Sequence, residues 1–161
     1  MGKKLDKTNV MRILDGKKIN YDFFEYDETI TDGEKVAETL GEQYDHVFKT
    51  LVTVSAKNIN YVFVVPVNKT LDLKAAAVVV GEKSIAMIKQ KELLPLTGYI
   101  HGGCSPIGMK KLFKTVIDNS AEDLDYFYVS AGRIGRQIKI APKDVQNLIG
   151  AEFKSIAKDC D

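Results

Sequence analysis

The run His46-Val47-Phe48-Lys49-Thr50-Leu51-Val52-Thr53-Val54 sets one lysine in a β-branched, largely apolar segment. Alternation places Lys49 on the face shared by Val47 and Leu51, opposite Phe48, Val52 and Val54. A lysine in a strand apolar on both faces either snorkels at an edge or points into a cavity. In a cavity, a bound anion pairs with it or desolvation lowers its pKa. The plain structural alternative is an edge-strand charge that discourages aggregation.

A second constellation is Thr97-Gly98-Tyr99-Ile100-His101-Gly102-Gly103-Cys104-Ser105-Pro106-Ile107-Gly108, whose glycines let a backbone come close to a ligand. Paired glycines permit positive φ and leave amides to face a carbonyl oxygen or a phosphate, while Pro106 fixes the exit of the turn. It is neither a Rossmann fingerprint nor a P-loop, since Gly-x-Gly-x-x-Gly is missing and Met109 follows Gly108. Ser130-Ala131-Gly132-Arg133-Ile134-Gly135-Arg136-Gln137 could hold an anion through guanidinium groups and amides, or be a solvated hairpin turn. Cys104 three residues after His101 admits an activated thiol. With no third member and no fixed geometry in a glycine loop, packing is the better account of that cysteine. His46, beside an apolar strand, reads as structural. The clusters Lys3-Lys4-Lys7 and Lys110-Lys111 with Lys114 read as solvated faces, and also as the places where a phosphate backbone could dock.

These groups need elements to hold them. Asp6 or Thr8 can cap a helix carrying Val10, Met11, Ile13 and Leu14, with Gly16 at its end. Residues 21–26 form an aromatic strand, and Thr31-Asp32-Gly33-Glu34 is a capping box for a helix closed by Gly41. Residues 46–54 and 60–67 pair as a hairpin across Ala56-Lys57-Asn58. Asp72 caps a helix through Val80, although three successive valines could equally form a strand. A short strand at 84–88, a short helix at 89–94 and the glycine loop follow. Strands at 115–118, 126–130 and 137–140 precede a helix with Pro142 at its first position. About seven strands and five helices at irregular intervals predict an α+β fold, a mixed sheet or partly closed barrel flanked by helices.

The 161 residues suffice for about one domain at roughly 150 each, and no linker or repeat divides them, so residues 1–161 read as one unit. A hydrophobic fraction of 45% with 28% charged residues excludes disorder. The net charge of +1 excludes a histone-like coat, so a polyanion must be met by local patches. Cys104 and Cys160 have no spacing that suggests a disulfide framework or a zinc site, and reduced thiols fit a cytoplasmic setting. The N-terminus lacks the apolar stretch of a signal peptide, and no run approaches membrane-spanning length.

Taken together, several segments resemble the YbaK/EbsC family, free-standing deacylases related to the editing insertion domain of bacterial prolyl-tRNA synthetases. They are Phe48-Lys49-Thr50-Leu51-Val52, Val65-Pro66-Val67 with Leu71-Asp72-Leu73-Lys74, Leu96-Thr97-Gly98-Tyr99 through Gly108, Ser130-Ala131-Gly132 with Gly135, and Ile140-Ala141-Pro142. Order and spacing match from about residue 10 to 149, most like the Cys-tRNA(Pro) deacylase branch. The resemblance implies removal of a mischarged amino acid, above all cysteine, from the 3′ end of tRNA(Pro), with Cys-tRNA(Cys) as a further substrate. It implies that Lys49 is the essential lysine and that the substrate's own thiol attacks its ester carbonyl. Amides of the loop at Gly102, Gly103, Cys104 and Ser105, with Pro106 behind them, would bind the carbonyl oxygen. Thr50, Tyr26 and Ser130 would line the substrate pocket. No metal or organic cofactor is implied, and the implied partners are an aminoacylated tRNA 3′ end and prolyl-tRNA synthetase. The family commonly has an acidic residue after the Ser-x-Gly-x-x-Gly turn, where Arg136-Gln137 stands here, which bears on the amino acid accepted. Two alternatives stay open, a deacylase for another small amino acid such as alanine and a non-catalytic protein that binds a tRNA 3′ end or a nucleotide.

Overall fold

The computed structural model describes residues 7–160. The cap option at Asp6 and the lysines Lys3 and Lys4 lie outside them. Helix α1, Asn9–Gly16, starts where Thr8 accepts a hydrogen bond from the Met11 N–H at 3.2 Å, and it buries Val10, Met11 and Leu14. Gly16 is its last residue rather than its stop, and Lys18 takes the left-handed conformation beyond it. Strand β1, Asp22–Glu25, leads to α2, Gly33–Leu40. The capping box expected at Thr31 does not form, because Asp32 takes the cap position and its side chain makes no capping bond.

A 3₁₀ turn at Tyr44–His46 feeds the long hairpin of β2, Phe48–Ser55, and β3, Asn60–Pro66, paired in antiparallel register with Lys49 opposite Val65. Strand β4, Lys69–Leu71, precedes α3, Leu73–Val80, where Asp72 accepts from the Ala75 N–H at 3.1 Å and Gly81 closes the helix with φ 75°. The run of three valines is therefore helical, favoured by cap, stop and the alanines before it. Strand β5, Ile85–Met87, and α4, Gln90–Thr97, lead into the glycine loop. After it come β6, Lys114–Asp118, β7, Phe127–Ser130, β8, Arg136–Ile140, and α5, Pro142–Ile149, with proline in the first turn. Strands β9, Glu152–Lys154, and β10, Ala157–Asp159, finish the chain.

The architecture is α+β with five α-helices, as expected, but with ten strands among the described residues rather than about seven. The three added, β4, β9 and β10, have three residues each, too few to show an alternation. A mixed five-stranded sheet has the order β5-β2-β3-β6-β9, with β6 parallel to β3 and to β9. A three-stranded antiparallel sheet has the order β1-β8-β7, and β10 pairs with β4. The two larger sheets meet where Val47, just before β2, forms a parallel bridge with Tyr128 of β7.

Strand β3 is buried on both faces, which explains its unbroken apolar run. Its even positions Val62 and Val64 join the main core with α1, Phe48, Ile117, Phe127 and Ile138. Its odd positions Tyr61, Phe63 and Val65 face a second cluster with Ala76 and Ala77 of α3. Phe48 and Phe127 meet edge to face across the junction of the sheets, ring centroids 5.1 Å apart. That junction positions the site.

Candidate active site

Strand β2 has β5 as its outer neighbour only at Thr53, Val54 and Ser55. Its first half, Phe48 to Leu51, therefore has a strand on one side only, and a cleft of about 350 Å³ follows this edge. Five consecutive residues from Val47 to Leu51 line the cleft. Successive side chains point to opposite faces, so a cleft touching all five wraps around the strand edge. The rest of the lining comes from the start of α2, from β7 and β8, and from α4 and the glycine loop.

Lys49 is half-buried in this cleft, and its ammonium group has no hydrogen-bond or ion-pair partner among the described residues. Two further lining residues each hold a buried side-chain oxygen with no partner among the described residues, Thr50 Oγ1 and Gln137 Oε1. Buried polar atoms are nearly always paired, so two orphans in one cleft, beside a cation, mark a place shaped for something polar. Gln137 is 6% exposed, and its Nε2 donates to the Tyr26 hydroxyl at 3.4 Å. Burial raises the Tyr26 phenol, opposed by the bonds it receives from Gln137 and the Gly135 backbone. Ser130 also lines the cleft, with its Oγ accepting from the Gly132 N–H at 3.1 Å.

The glycine loop contributes unevenly. Gly102 and Cys104 line the cleft, as does His101. Gly102 has φ 89°, and a Cβ there would sit 3.2 Å from Thr31 Cγ2. Its N–H makes no backbone hydrogen bond among the described residues. Gly103, Ser105 and Pro106 are not brought to the cleft. The Gly103 N–H is used by Ile100 O at 3.0 Å, and a Cβ on Gly103 would stand 2.8 Å from Ile134 N. Ser105 is fully buried with Oγ accepting from the Ile107 N–H, and Pro106 is buried beside it. These three residues hold Gly102 and Cys104 in place against the β7–β8 turn, and the amides expected to converge on a ligand reduce to those around Gly102.

Burial pushes the Cys104 thiol up to about 12, so it stays protonated and non-nucleophilic near neutrality. The Cys/His pairing with His101 therefore yields no activated thiolate. Neither Arg133 nor Arg136 lines the cleft. Arg136 lies 3.9 Å from Glu25 and over the Phe23 ring, so the guanidinium groups of that turn are not brought to this cleft. His46 stacks on Tyr126 and bonds Asp45, in keeping with a structural part.

Several lining residues carried only a structural signal in the sequence, or none. Thr31, Asp32, Gly33 and Val36 arrive because the first turn of α2 is pressed onto the end of β3, where a Cβ on Gly33 would come within 2.7 Å of Val67 Cγ1. Leu93 arrives on α4. Tyr99 is a positioning residue also missed. Its hydroxyl donates to Ile107 O, and its ring passes between Gly108 and Gly132, tying the glycine loop to the β7–β8 turn. A Gly-rich loop containing one buried tyrosine was the available hint. Among the described residues, no group of His, Cys, Asp and Glu is arranged to hold a metal ion.

The family model described as an aminoacyl-tRNA editing domain matches residues 27–148. A protein of Enterococcus faecalis to which Cys-tRNA(Pro)/Cys-tRNA(Cys) deacylase activity is ascribed, EbsC, is 43% identical over 156 residues, covering 96% of this chain and 95% of that protein. Among solved structures, the hypothetical protein APE2540 superposes with a TM-score of 0.86 at 19% identity, covering 92% of this chain and 99% of its own. A protein to which trans-editing for prolyl-tRNA synthetase is ascribed superposes with a TM-score of 0.81 at 22% identity, covering 95% and 99%. At such identities the two structures speak for the fold.

Proposed function

The chain belongs to the aminoacyl-tRNA editing domain family, and from that premise we propose that it is a trans-editing deacylase that removes cysteine from Cys-tRNA(Pro), with Cys-tRNA(Cys) as a second substrate. The observation that carries this reading is the partnerless Lys49 ammonium in a cleft that also holds two unpaired polar atoms and the Gly102 turn. Aminoacyl-tRNA brings to such a cleft an ester, a terminal phosphate and an ammonium group, which need an amide donor, a cation and neutral acceptors respectively. Thr50 Oγ1 and Gln137 Oε1 are the acceptors, Lys49 the cation and the Gly102 N–H the amide. Tyr26 and Ser130 shape the wall between them. Gly103, Ser105 and Pro106 serve the substrate indirectly, by fixing the turn.

The cysteine of the cleft is not a competent nucleophile, since burial holds the Cys104 thiol protonated. The substrate's own thiol supplies one. Its sulfur forms a bond to the ester carbonyl carbon, the carbonyl oxygen gathers charge beside the Gly102 amide, and the C–O bond to the ribose then breaks. The thiol proton passes to the departing ribose oxygen, leaving tRNA and a cyclic thioester of cysteine that water opens afterwards. The enzyme's share is orientation and stabilisation of developing charge in a partly dry cleft. Lys49 neutralises the phosphate of the terminal nucleotide and so fixes the ester in place. The reaction belongs in the cytoplasm, next to prolyl-tRNA synthetase, from which the mischarged tRNA comes.

Deacylation of Cys-tRNA(Pro), Ala-tRNA(Pro) and Ser-tRNA(Pro) by the pure protein tests this. Release of cysteine and not serine is expected, with turnover abolished in Lys49→Ala and retained in Cys104→Ala. Equal release of all three would replace the substrate thiol by an activated water. Release of alanine alone would change the amino acid, and release of none would leave a binding protein.

A further inference from the structure

Charge is divided sharply between two segments that line the cleft. Residues 22–45, which include β1, α2 and the 3₁₀ turn, carry nine carboxylates against the single lysine Lys35. Residues 83–114, which include β5, α4 and the glycine loop, carry six lysines against the single carboxylate Glu92. The first segment supplies Thr31, Asp32, Gly33 and Val36 to the lining of the cleft, and the second supplies Leu93, His101 and Gly102, the two meeting where Gly102 lies against Thr31. A net charge of +1 conceals this division.

The basic side is organised around α4. Lys89 is its cap residue and Lys91 lies in its first turn. At the other end the Lys110 N–H bonds Thr97 O at 3.0 Å, and the Lys110 side chain lies along Gly98, where a Cβ would be 3.3 Å from its Cγ. Lys83, Lys89, Lys91, Lys110, Lys111 and Lys114 are all exposed, and none is in an ion pair among the described residues. At 1.5 Å per residue, α4 sets the lysines at its two ends about 12 Å apart, roughly the length over which one nucleic-acid strand carries three or four phosphates. Leu94 and Ile100 are half-exposed on the same segment, at 51% and 50%, and offer apolar surface to unpaired bases.

We propose that this face, α4 with its flanking lysines, carries the sugar-phosphate backbone of the tRNA acceptor arm, so that the aminoacylated 3′ end enters the cleft over α4 while the acidic α2 side repels phosphate and fixes the direction of approach. The assignment rests on the proposed deacylase function and adds the surface that function requires, because Lys49 alone cannot hold a polyanion. A basic protein partner would favour the acidic side, and an RNA favours the α4 side.

The test is the triple variant Lys91→Glu/Lys110→Glu/Lys111→Glu, with Lys35→Glu on α2 as control, assayed on Cys-tRNA(Pro) and on 3′-cysteinyl-adenosine, which has no phosphate backbone. The triple variant should raise KM for the tRNA by about tenfold or more near 0.1 M salt and flatten its salt dependence, as loss of phosphate contacts requires. Its kcat and its cleavage of cysteinyl-adenosine should match the parent protein, and Lys35→Glu should leave KM for tRNA unchanged. An unchanged KM in the triple variant overturns the assignment, as does an equal rise in Lys35→Glu. A loss seen only when prolyl-tRNA synthetase is added would make the face a protein contact instead. If the parent protein cleaves neither ester, the deacylase reading falls, and the surface is still decided by fluorescence anisotropy with uncharged tRNA(Pro), which the triple variant must bind about tenfold more weakly.

Discussion

Thr50 shows what one side chain can report about purpose. Its hydroxyl oxygen is buried with no partner, and an unpaired buried polar group costs roughly 1–3 kcal/mol. Valine has nearly the same shape without that cost. Thr50→Val is therefore expected to leave the free protein as stable as before, or more stable by about 1 kcal/mol, while lowering kcat/KM for aminoacyl-tRNA by about tenfold or more through loss of a substrate hydrogen bond. Thermal denaturation and deacylation rates on the same preparation check both halves. If stability and activity fall together, Thr50 is a packing residue and the cleft loses one of its acceptors. Lys49 could be singled out from sequence because a charge stands out in an apolar strand. Thr50 and Gln137 could not be read as orphans, because whether a polar atom is paired depends on neighbours from β1, β3 and β8 that sequence does not place.

At the scale of elements, α1 was legible from its cap at Thr8 and its apolar stripe, whereas α3, although bracketed by Asp72 and Gly81, stays open between helix and strand in the sequence because of its three valines. The hairpin of β2 and β3 was legible from its β-branched runs. Strands β4, β9 and β10 were not, since their register comes from long-range partners such as Leu71 with Ala157 and Val116 with Glu152. The glycine loop was legible as a close approach of backbone, but not in its direction. Its tightest approach, at Gly103, is to the β7–β8 turn and not to a ligand. Gly103→Ala must push backbone against the Ile134 amide, and it should destabilise by about 2 kcal/mol or more while depressing activity by displacing Gly102. Gly16→Ala supplies the contrast, because a Cβ at the end of α1 meets nothing within 4 Å and alanine is the better helix residue by about 0.5–1 kcal/mol. Urea denaturation of the two variants should move the midpoints in opposite directions, and a neutral Gly103→Ala would show that the loop is looser than its packing against the turn indicates.

For the molecule as a whole, the glycine loop and the junction between the two larger sheets together seal ionisable groups in neutral form, which links folding to pH on the alkaline side. Cys104, Tyr99 and Tyr128 are all buried, and desolvation pushes each up to about 12, with the nearby Glu42 carboxylate adding to Tyr128. In an unfolded chain the thiol ionises near 9 and the phenols near 10. Between those values and about 12 the unfolded chain releases protons that the folded chain retains. The unfolded state then binds fewer protons, so the free energy of unfolding falls as pH rises. Stability should therefore be level up to about pH 9 and decline progressively toward pH 12. Tyr99→Phe removes one of the three groups and should make that decline shallower, even where the lost bond to Ile107 O lowers stability at neutral pH. Urea midpoints measured at steps from pH 7 to 11 would show this, and a level profile across the alkaline range would mean that solvent reaches these groups in the folded protein. The junction and the glycine loop both line the cleft, through Val47, Phe48, Ser130 and Cys104, so aminoacyl-tRNA turnover should fail over the pH range in which this seal is lost. A loss of turnover that precedes any loss of stability would instead report a titrating group within the cleft itself.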